Sequence, residues 1–211
     1  MRDHEPLIDA LAGGMQPVRR VAPAWLRALG WAPVALALGY LSTSILLHRQ
    51  ATDWVGGYAA ISAANVVLSL ALGITAFAAA LSVSVAGGRI VAKGWMALGL
   101  VLWALLAAVS IALSSRPITV VVGEGSYCFT FVITAGLPMI AVALAALRRT
   151  RSLRPKQSLV AAGMAVSFLS FGLLAFCHPA EMSVADFLMH LLAALALGAV
   201  FLVVGRPAIR I

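Results

Sequence analysis

Six stretches of about 20 mainly apolar residues divide this chain, and their length restricts its fold more than any other feature. At roughly 1.5 Å per residue, each stretch can cross the hydrocarbon core of a bilayer as an α-helix. With 63% hydrophobic and only 10% charged residues, the composition is not that of a soluble domain. We therefore predict an all-α, polytopic membrane protein, with a tail of residues 1–24 before a six-helix transmembrane domain of residues 25–211. The predicted spans are about 28–47, 59–84, 94–113, 128–147, 158–176 and 184–204.

The positions of the basic residues predict how the chain is oriented. Of the fifteen Lys and Arg residues, all but Arg49 and Arg116 fall on the side of the membrane that holds the N-terminal tail. Because basic loops stay in the cytoplasm, we expect both termini there. The net charge of +8 then reflects topology, so we expect the lipid bilayer and no direct nucleic-acid partner. Charged residues before the first span also argue against a cleaved signal peptide.

The two cysteines of the chain flank a predicted helical hairpin. Cys128 begins the fourth span, Cys177 follows the fifth, and both lie equally far in sequence from the basic connector of residues 148–157. Two antiparallel helices would therefore carry both thiols to one depth, at the membrane face opposite the connector. In an oxidising compartment such thiols are candidate sensors, although free cysteine is also a common buried residue. The pattern predicts sensing at one face and a basic contact surface at the other.

Two histidines lie near these cysteines or within a span. His178 directly follows Cys177, and His190 is four residues after Asp186, on the same face of the sixth predicted helix. An ionisable side chain inside a span indicates function, but a hydrogen-bonded interhelical histidine is an equal alternative. Cys128, Cys177, His178 and His190 together could bind a soft, zinc-like metal ion. Such an ion would be transient, and no obligatory cofactor is expected; the spacing does not establish the site.

The tail carries an apolar face. Leu7, Ile8 and Leu11 fall within one arc about 100° wide on a helix, while Gly13 and Gly14 suit a helix end. A free helix of this length is marginal in water. The tail is therefore either a membrane-surface anchor or disordered segment, or a segment that becomes ordered on a protein partner.

Two spans carry small residues or proline. The second is rich in Ala, Ser and Gly, which predicts close packing against neighbouring helices. Gly136 and Pro138 lie in the middle of the fourth, where proline usually kinks a helix. That kink is either a static feature or a hinge.

The motifs of several enzyme classes are absent from the sequence. The run Gly123-Glu124-Gly125 is too short for a phosphate-binding loop, and the two cysteines do not form the Cys-x-x-Cys pair of thiol oxidoreductases. We therefore expect no enzymatic activity. The alternative is a small membrane transporter or membrane enzyme that uses a Cys/His cluster at the outer face.

A further set of residues in the tail and the C-terminal half matches a known pattern. In the tail these are the run Leu7-Ile8-Asp9-Ala10-Leu11-Ala12 and the run Pro17-Val18-Arg19-Arg20. The pattern continues through Cys128, Leu137-Pro138, Leu153-Arg154-Pro155, Cys177, Pro179, Glu181 and His190. With these residues the chain resembles the negative regulator of sigma F family, whose members are six-span bacterial membrane anti-sigma factors. The resemblance is weak in the second and third spans, and His178 is not expected of the family.

The resemblance implies a function in transcription regulation. The protein would hold an extracytoplasmic-function sigma factor inactive at the bacterial inner (cytoplasmic) membrane until stress such as heavy metals or oxidants is sensed. Cysteines exposed towards the periplasm would take part in sensing, and Cys128 and Cys177 occupy those positions. The sigma factor would contact the tail, the basic connector, or both. The candidate contact residues in the tail are Leu7, Ile8, Leu11, Pro17, Arg19 and Arg20.

Overall fold

The structure, a computed structural model, describes residues 4–14, 21–47, 52–85, 87–90, 93–114, 126–150, 152, 154–177 and 181–209. These residues form α-helices and connecting turns, without any β-strand. The helices are α1 (Glu5–Gly13), α2 (Ala24–Leu46), α3 (Ala59–Val83), α4 (Lys93–Leu113), α5 (Ser126–Arg148), α6 (Pro155–Leu174) and α7 (Val184–Ile209).

Helices α2 to α7 are each long and apolar enough to cross a membrane, which confirms the prediction of an all-α, multi-pass membrane protein. Most begin or end within a few residues of the predicted spans. Pro138 lies inside α5, and this helix continues through it to Arg148. Neighbouring helices satisfy backbone groups that a proline leaves unpaired in a transmembrane helix, so proline is tolerated there.

Helix α6 is the centre of the bundle. In its most apolar stretch 78% of the residues are buried, compared with 17% for α4 and 22% for α7. Helix α3 packs most extensively against α6, and α5 packs against α2, α6 and α7. The hairpin of α5 and α6 is therefore enclosed by other helices, whereas α4 presents most of its surface to the surroundings.

Small residues allow the central helices to approach closely, as predicted for the second span. A Cβ atom added to Gly73 of α3 would lie 2.8 Å from Leu169 of α6. Gly136 of α5 is in the same situation, because an added Cβ would lie 2.5 Å from Leu197 of α7. Gly136, noted in the sequence beside Pro138, therefore has a packing role between α5 and α7.

Short polar contacts join the helices at the end of the bundle that carries the connector, called here the connector end. The Ser84 and Thr150 hydroxyls are 2.7 Å apart, which links the end of α3 to the end of α5. Ser152 and Ser158 make a similar contact of 2.8 Å. The Arg149 guanidinium lies 5.1 Å from the centre of the Trp31 ring on α2, a cation–π distance. Side chains at Arg149, Thr150 and Ser152 of the connector thus contact α2, the end of α3 and α6.

Candidate functional site

Both cysteines lie at the end of the bundle opposite the connector, called here the cysteine end. Cys128 is the third residue of α5, and Cys177 follows the end of α6 at Leu174. The predicted common end of the two thiols is therefore confirmed. Their predicted exposure is not, because Cys128 is 2% exposed and Cys177 is 7% exposed. Both side chains therefore lie inside the bundle and not at its surface.

Cys128 contacts a buried carboxylate. Its Sγ atom lies 3.5 Å from Oδ1 of Asp186 on α7, in the geometry of a thiol donating to a carboxylate. Asp186 is itself buried. The separation is about that of two neighbouring ligands on a tetrahedral zinc-like ion, given Zn–S near 2.3 Å and Zn–O near 2.1 Å. The pair is therefore spaced to share a soft cation, provided the thiol loses its proton.

The same carboxylate caps the first turn of helix α7. The Ser183 backbone N–H donates to Asp186 Oδ2 at 3.1 Å, and the Asp186 backbone N–H donates to Ser183 Oγ at 3.1 Å. This reciprocal arrangement is a capping box, which satisfies backbone donors that the first turn of a helix leaves unpaired. One carboxylate thus connects the Cys128 thiol to the start of α7.

His190 lies one turn further along α7. Its Nδ1 atom is 2.5 Å from the Asp186 carbonyl oxygen, so the contact runs within the helix and not between helices. The imidazole also meets the Phe171 ring of α6 edge-on, with ring centres 5.3 Å apart. A carbonyl partner places the proton on Nδ1 and leaves Nε2 as the nitrogen suited to accept a hydrogen bond or bind a metal.

A small polar cavity adjoins His190. It has a volume of about 50 Å³ and is lined by Ser62 and Asn65 of α3, Ser110 of α4 and His190, with Trp103 and Phe171 as aromatic walls. Since one water needs about 10–15 Å³ of such space, the cavity has room for a few waters. It can hydrate polar groups inside the bundle.

The loop between α2 and α3 covers the region around Cys177. The Thr52 hydroxyl donates to the Ala175 carbonyl oxygen at 2.8 Å, and the Trp54 ring packs against Phe176 with centres 5.5 Å apart. Both contacts fall on the two residues that precede Cys177. The loop therefore packs directly beside the residue that carries this thiol.

The predicted metal-ligand set is not assembled within the described residues. Among these residues, no group of three His, Cys, Asp or Glu side chains is arranged to hold a metal ion. His178 lies outside them, so the set of Cys128, Cys177, His178 and His190 stays a prediction. Within the described part of the chain, the structure places the Asp186 carboxylate against the Cys128 thiol.

The tail residues of the predicted partner site divide into two groups. Leu7, Ile8 and Leu11 lie on α1, a helix in which no residue is buried. Pro17, Arg19 and Arg20 lie outside the described residues. In the connector, Arg148, Arg154 and Lys156 are exposed at the opposite end of the bundle from the cysteines.

Sequence reasoning noted Asp186 by position but not its role. The signal was present, because Ser183 three residues before an acid and ahead of an apolar run is typical of a capping box. The Thr52 and Trp54 contacts had no comparable signal.

No protein-family model, curated protein or solved structure matches this chain. The resemblance to the negative regulator of sigma F family therefore depends on the residues quoted for it and stays a prediction.

Proposed function

We propose that this protein is a membrane-bound anti-sigma factor. It holds an extracytoplasmic-function sigma factor inactive and releases it when Cys128 and Cys177 react with a heavy metal or an oxidant. The six apolar helices and the resemblance in the tail support this proposal. It includes no enzymatic activity and no obligatory cofactor.

The observation that carries the proposal is the exposed apolar face of α1. Leu7, Ile8 and Leu11 are 60%, 60% and 64% exposed, in a chain segment outside the membrane-spanning helices. Full burial of each side chain on a partner would contribute about 1.5–3 kcal/mol. A helix of nine residues is marginal alone, so it gains order from the surface that covers this face.

A pull-down against the sigma factor tests this contact. The double variant Leu7→Asp/Leu11→Asp puts two charges on the apolar face and is expected to abolish binding while leaving membrane insertion intact. The matched control is Ala10→Asp/Gly13→Asp, which adds the same charge on other faces of α1 and is expected to retain binding. An added side chain at position 13 meets no atom within 4 Å. Undiminished binding by the first variant would move the contact to the connector or elsewhere.

The proposed sensing step begins at Cys128. A soft cation such as Cd²⁺ would displace the thiol proton, bind the thiolate and compete for the Asp186 carboxylate. Because Asp186 also caps α7, cation binding would pull on the start of that helix as well as on α5. Complete release of a bound partner requires about 5.5 kcal/mol of differential binding, a magnitude that thiolate–metal bonds can provide.

Replacing both cysteines with serine tests the sensing step. Cys128→Ser/Cys177→Ser is expected to repress the sigma factor as before but to stop responding to Cd²⁺. The wild-type chain under the same exposure is the positive control. If the double variant still releases its partner on metal exposure, these thiols are packed side chains and sensing occurs elsewhere.

The proposal places both termini and the connector in the cytoplasm. Alkaline phosphatase is active only outside the cytoplasm, so a fusion within residues 114–127 should be active and one within residues 148–157 inactive. The reverse pattern would contradict the orientation and the sensing model built on it.

The cavity beside His190 is the feature that a transporter or membrane enzyme would use. Its volume of about 50 Å³ is well below the about 300–1,000 Å³ of typical small-molecule sites, which counts against a substrate site at this cavity. Co-purification separates the two. A bound sigma factor supports the proposal, whereas substrate-dependent turnover without a protein partner supports the alternative.

A further inference from the structure

Two adjoining cavities lie between the start of α2 and the end of α3, at the connector end. The first, about 320 Å³, is lined by Val21 and Arg27 on one side and by Ser82 and Gly87 on the other. The second, about 460 Å³, continues along the two helices. Both are lined by Ala24 and Ser82, so they form one groove, called here the Arg27 groove.

The first cavity is polar and positively charged. Arg27 donates one long hydrogen bond of 3.5 Å to the Leu81 carbonyl oxygen, and the guanidinium has further N–H donors for a ligand. Ser82 Oγ donates to the Arg89 carbonyl oxygen at 2.8 Å, which fixes the loop carrying this second, exposed cation beside the groove. None of the described residues lining either cavity is acidic. An anion is therefore the complementary ligand.

The second cavity is apolar. Its walls include Ile74 and Ala78 of α3, Trp25 of α2 and Ile90, all within or beside helices long enough to span a membrane. Trp25 is 57% exposed, and tryptophan is enriched where a transmembrane helix meets the lipid headgroups. The apolar part therefore adjoins hydrocarbon, while the polar part lies at headgroup depth.

We propose that the Arg27 groove binds one anionic phospholipid of the surrounding bilayer. The phosphate group lies on Arg27, and one acyl chain follows the apolar part between α2 and α3. Charge selects this ligand over a zwitterionic lipid, because Arg27 lines the headgroup cavity and none of its described lining residues carries a carboxylate. Val21 and Ala22 link the α1 segment to α2, so a bound lipid fixes the point where the tail joins the bundle. The inference does not depend on the proposed sigma-factor partner.

Native mass spectrometry of the full chain tests the headgroup part. The protein is reconstituted with equimolar phosphatidylglycerol and phosphatidylcholine, and the retained lipid is counted. Wild type should retain phosphatidylglycerol in preference to phosphatidylcholine. Arg27→Gln should reduce this preference about five-fold, as expected for the loss of one Arg at a membrane surface. Arg206→Gln is the control, since Arg206 is exposed at the same end on α7. Equal loss in both variants, or no preference in wild type, would overturn the site.

A photoactivatable phosphatidylglycerol on the wild-type chain tests the apolar part. Crosslinks should concentrate on the peptides that contain Trp25 and Ala78, and Ala78→Phe, which fills the groove, should reduce them. Ala104→Phe on the exposed face of α4 is the matched control and should leave them unchanged. Crosslinks spread evenly over α4 and the other exposed helices would show annular lipid alone and contradict the proposal.

Discussion

The two ends of the α5–α6 hairpin differ in what they expose. At the cysteine end, the reactive side chains of Cys128 and Cys177 are buried. At the connector end, the cationic side chains of Arg148, Arg154 and Lys156 are exposed, while the hydroxyls of Thr150 and Ser152 make short polar contacts with the bundle. The end with thiol chemistry is therefore closed, and the end suited to binding a partner is open. Under the proposed function, a reagent must therefore open the cysteine end before it can affect the connector end.

The helices between the two ends are closely packed. Gly136 against Leu197 and Gly73 against Leu169 leave no room for an extra methyl group. Because close-packed interiors do not deform continuously, a change at the cysteine end would reach the connector as a shift of whole helices. Asp186 is suited to start such a shift, because it contacts Cys128 on α5 and caps α7.

The largest effect is expected from removal of the carboxylate at the closed end. Asp186→Ala removes the α7 cap and the acceptor of the Cys128 thiol, which should lower the free energy of unfolding by about 2–3 kcal/mol. Denaturation in mixed micelles measures this loss. Asp186→Asn keeps one side-chain acceptor and should lose less. If both variants are as stable as wild type, Asp186 does not hold the cysteine end closed.

The sequence predicted the helices well and the arrangement of the helices poorly. Apolar runs and the proline and glycine positions are local signals, so all six spans were found. Burial is different, because it depends on contacts between distant segments. The central α6 has a mean hydropathy of 1.7, lower than the 2.5 of peripheral α4, so hydropathy alone would have ranked them wrongly. Buried serines such as Ser167 and Ser170 explain the lower value.

The site shows the same division. Equal sequence distances placed both thiols at one end, and the capping box of Ser183 and Asp186 was readable from its spacing. The burial of the two cysteines could not be predicted from the sequence. For Cys128 it depends on α7, and for Cys177 on the loop that carries Thr52 and Trp54. Such contacts between segments far apart in sequence leave no periodic pattern.

The next effect tests the packing that joins the two ends. Gly39 of α2 faces α5, where an added Cβ would meet the Met139 side chain and lie 3.1 Å from the Ala135 carbonyl oxygen. Gly39→Ala should therefore destabilise the protein by about 1–3 kcal/mol. Gly30→Ala in the same helix meets no atom within 4 Å and should be neutral or stabilising by about 0.5–1 kcal/mol. Equal unfolding free energies for the pair would contradict a close-packed middle.

A smaller effect is expected from the loop that covers Cys177. Trp54→Ala removes the ring contact with Phe176, worth about 0.5–1.5 kcal/mol, and should therefore speed maleimide labelling of Cys177 by about five-fold. Mass spectrometry of the labelled peptides separates Cys177 from Cys128, whose labelling should be unchanged. Trp95→Ala on α4 is the control, because Trp95 is 76% exposed. Unchanged labelling of Cys177 would show that another segment closes this end.

The smallest effect is expected at the open end. Arg149→Gln removes the cation–π contact with Trp31, which at an exposed site contributes about 0.5–1 kcal/mol. The connector keeps its hydroxyl contacts at Thr150 and Ser152, so global stability should change by no more than this amount. Arg148→Gln removes the same charge from the neighbouring exposed position and is the matched control. Both variants should weaken the binding of an acidic partner to the connector by the same amount. Only Arg149→Gln should also loosen α2 from the connector, and this loosening is measured as faster hydrogen exchange around Trp31. If Arg149→Gln leaves that exchange unchanged, the open end is fixed by its hydroxyl contacts alone, and the cation on Arg149 serves only the exposed surface.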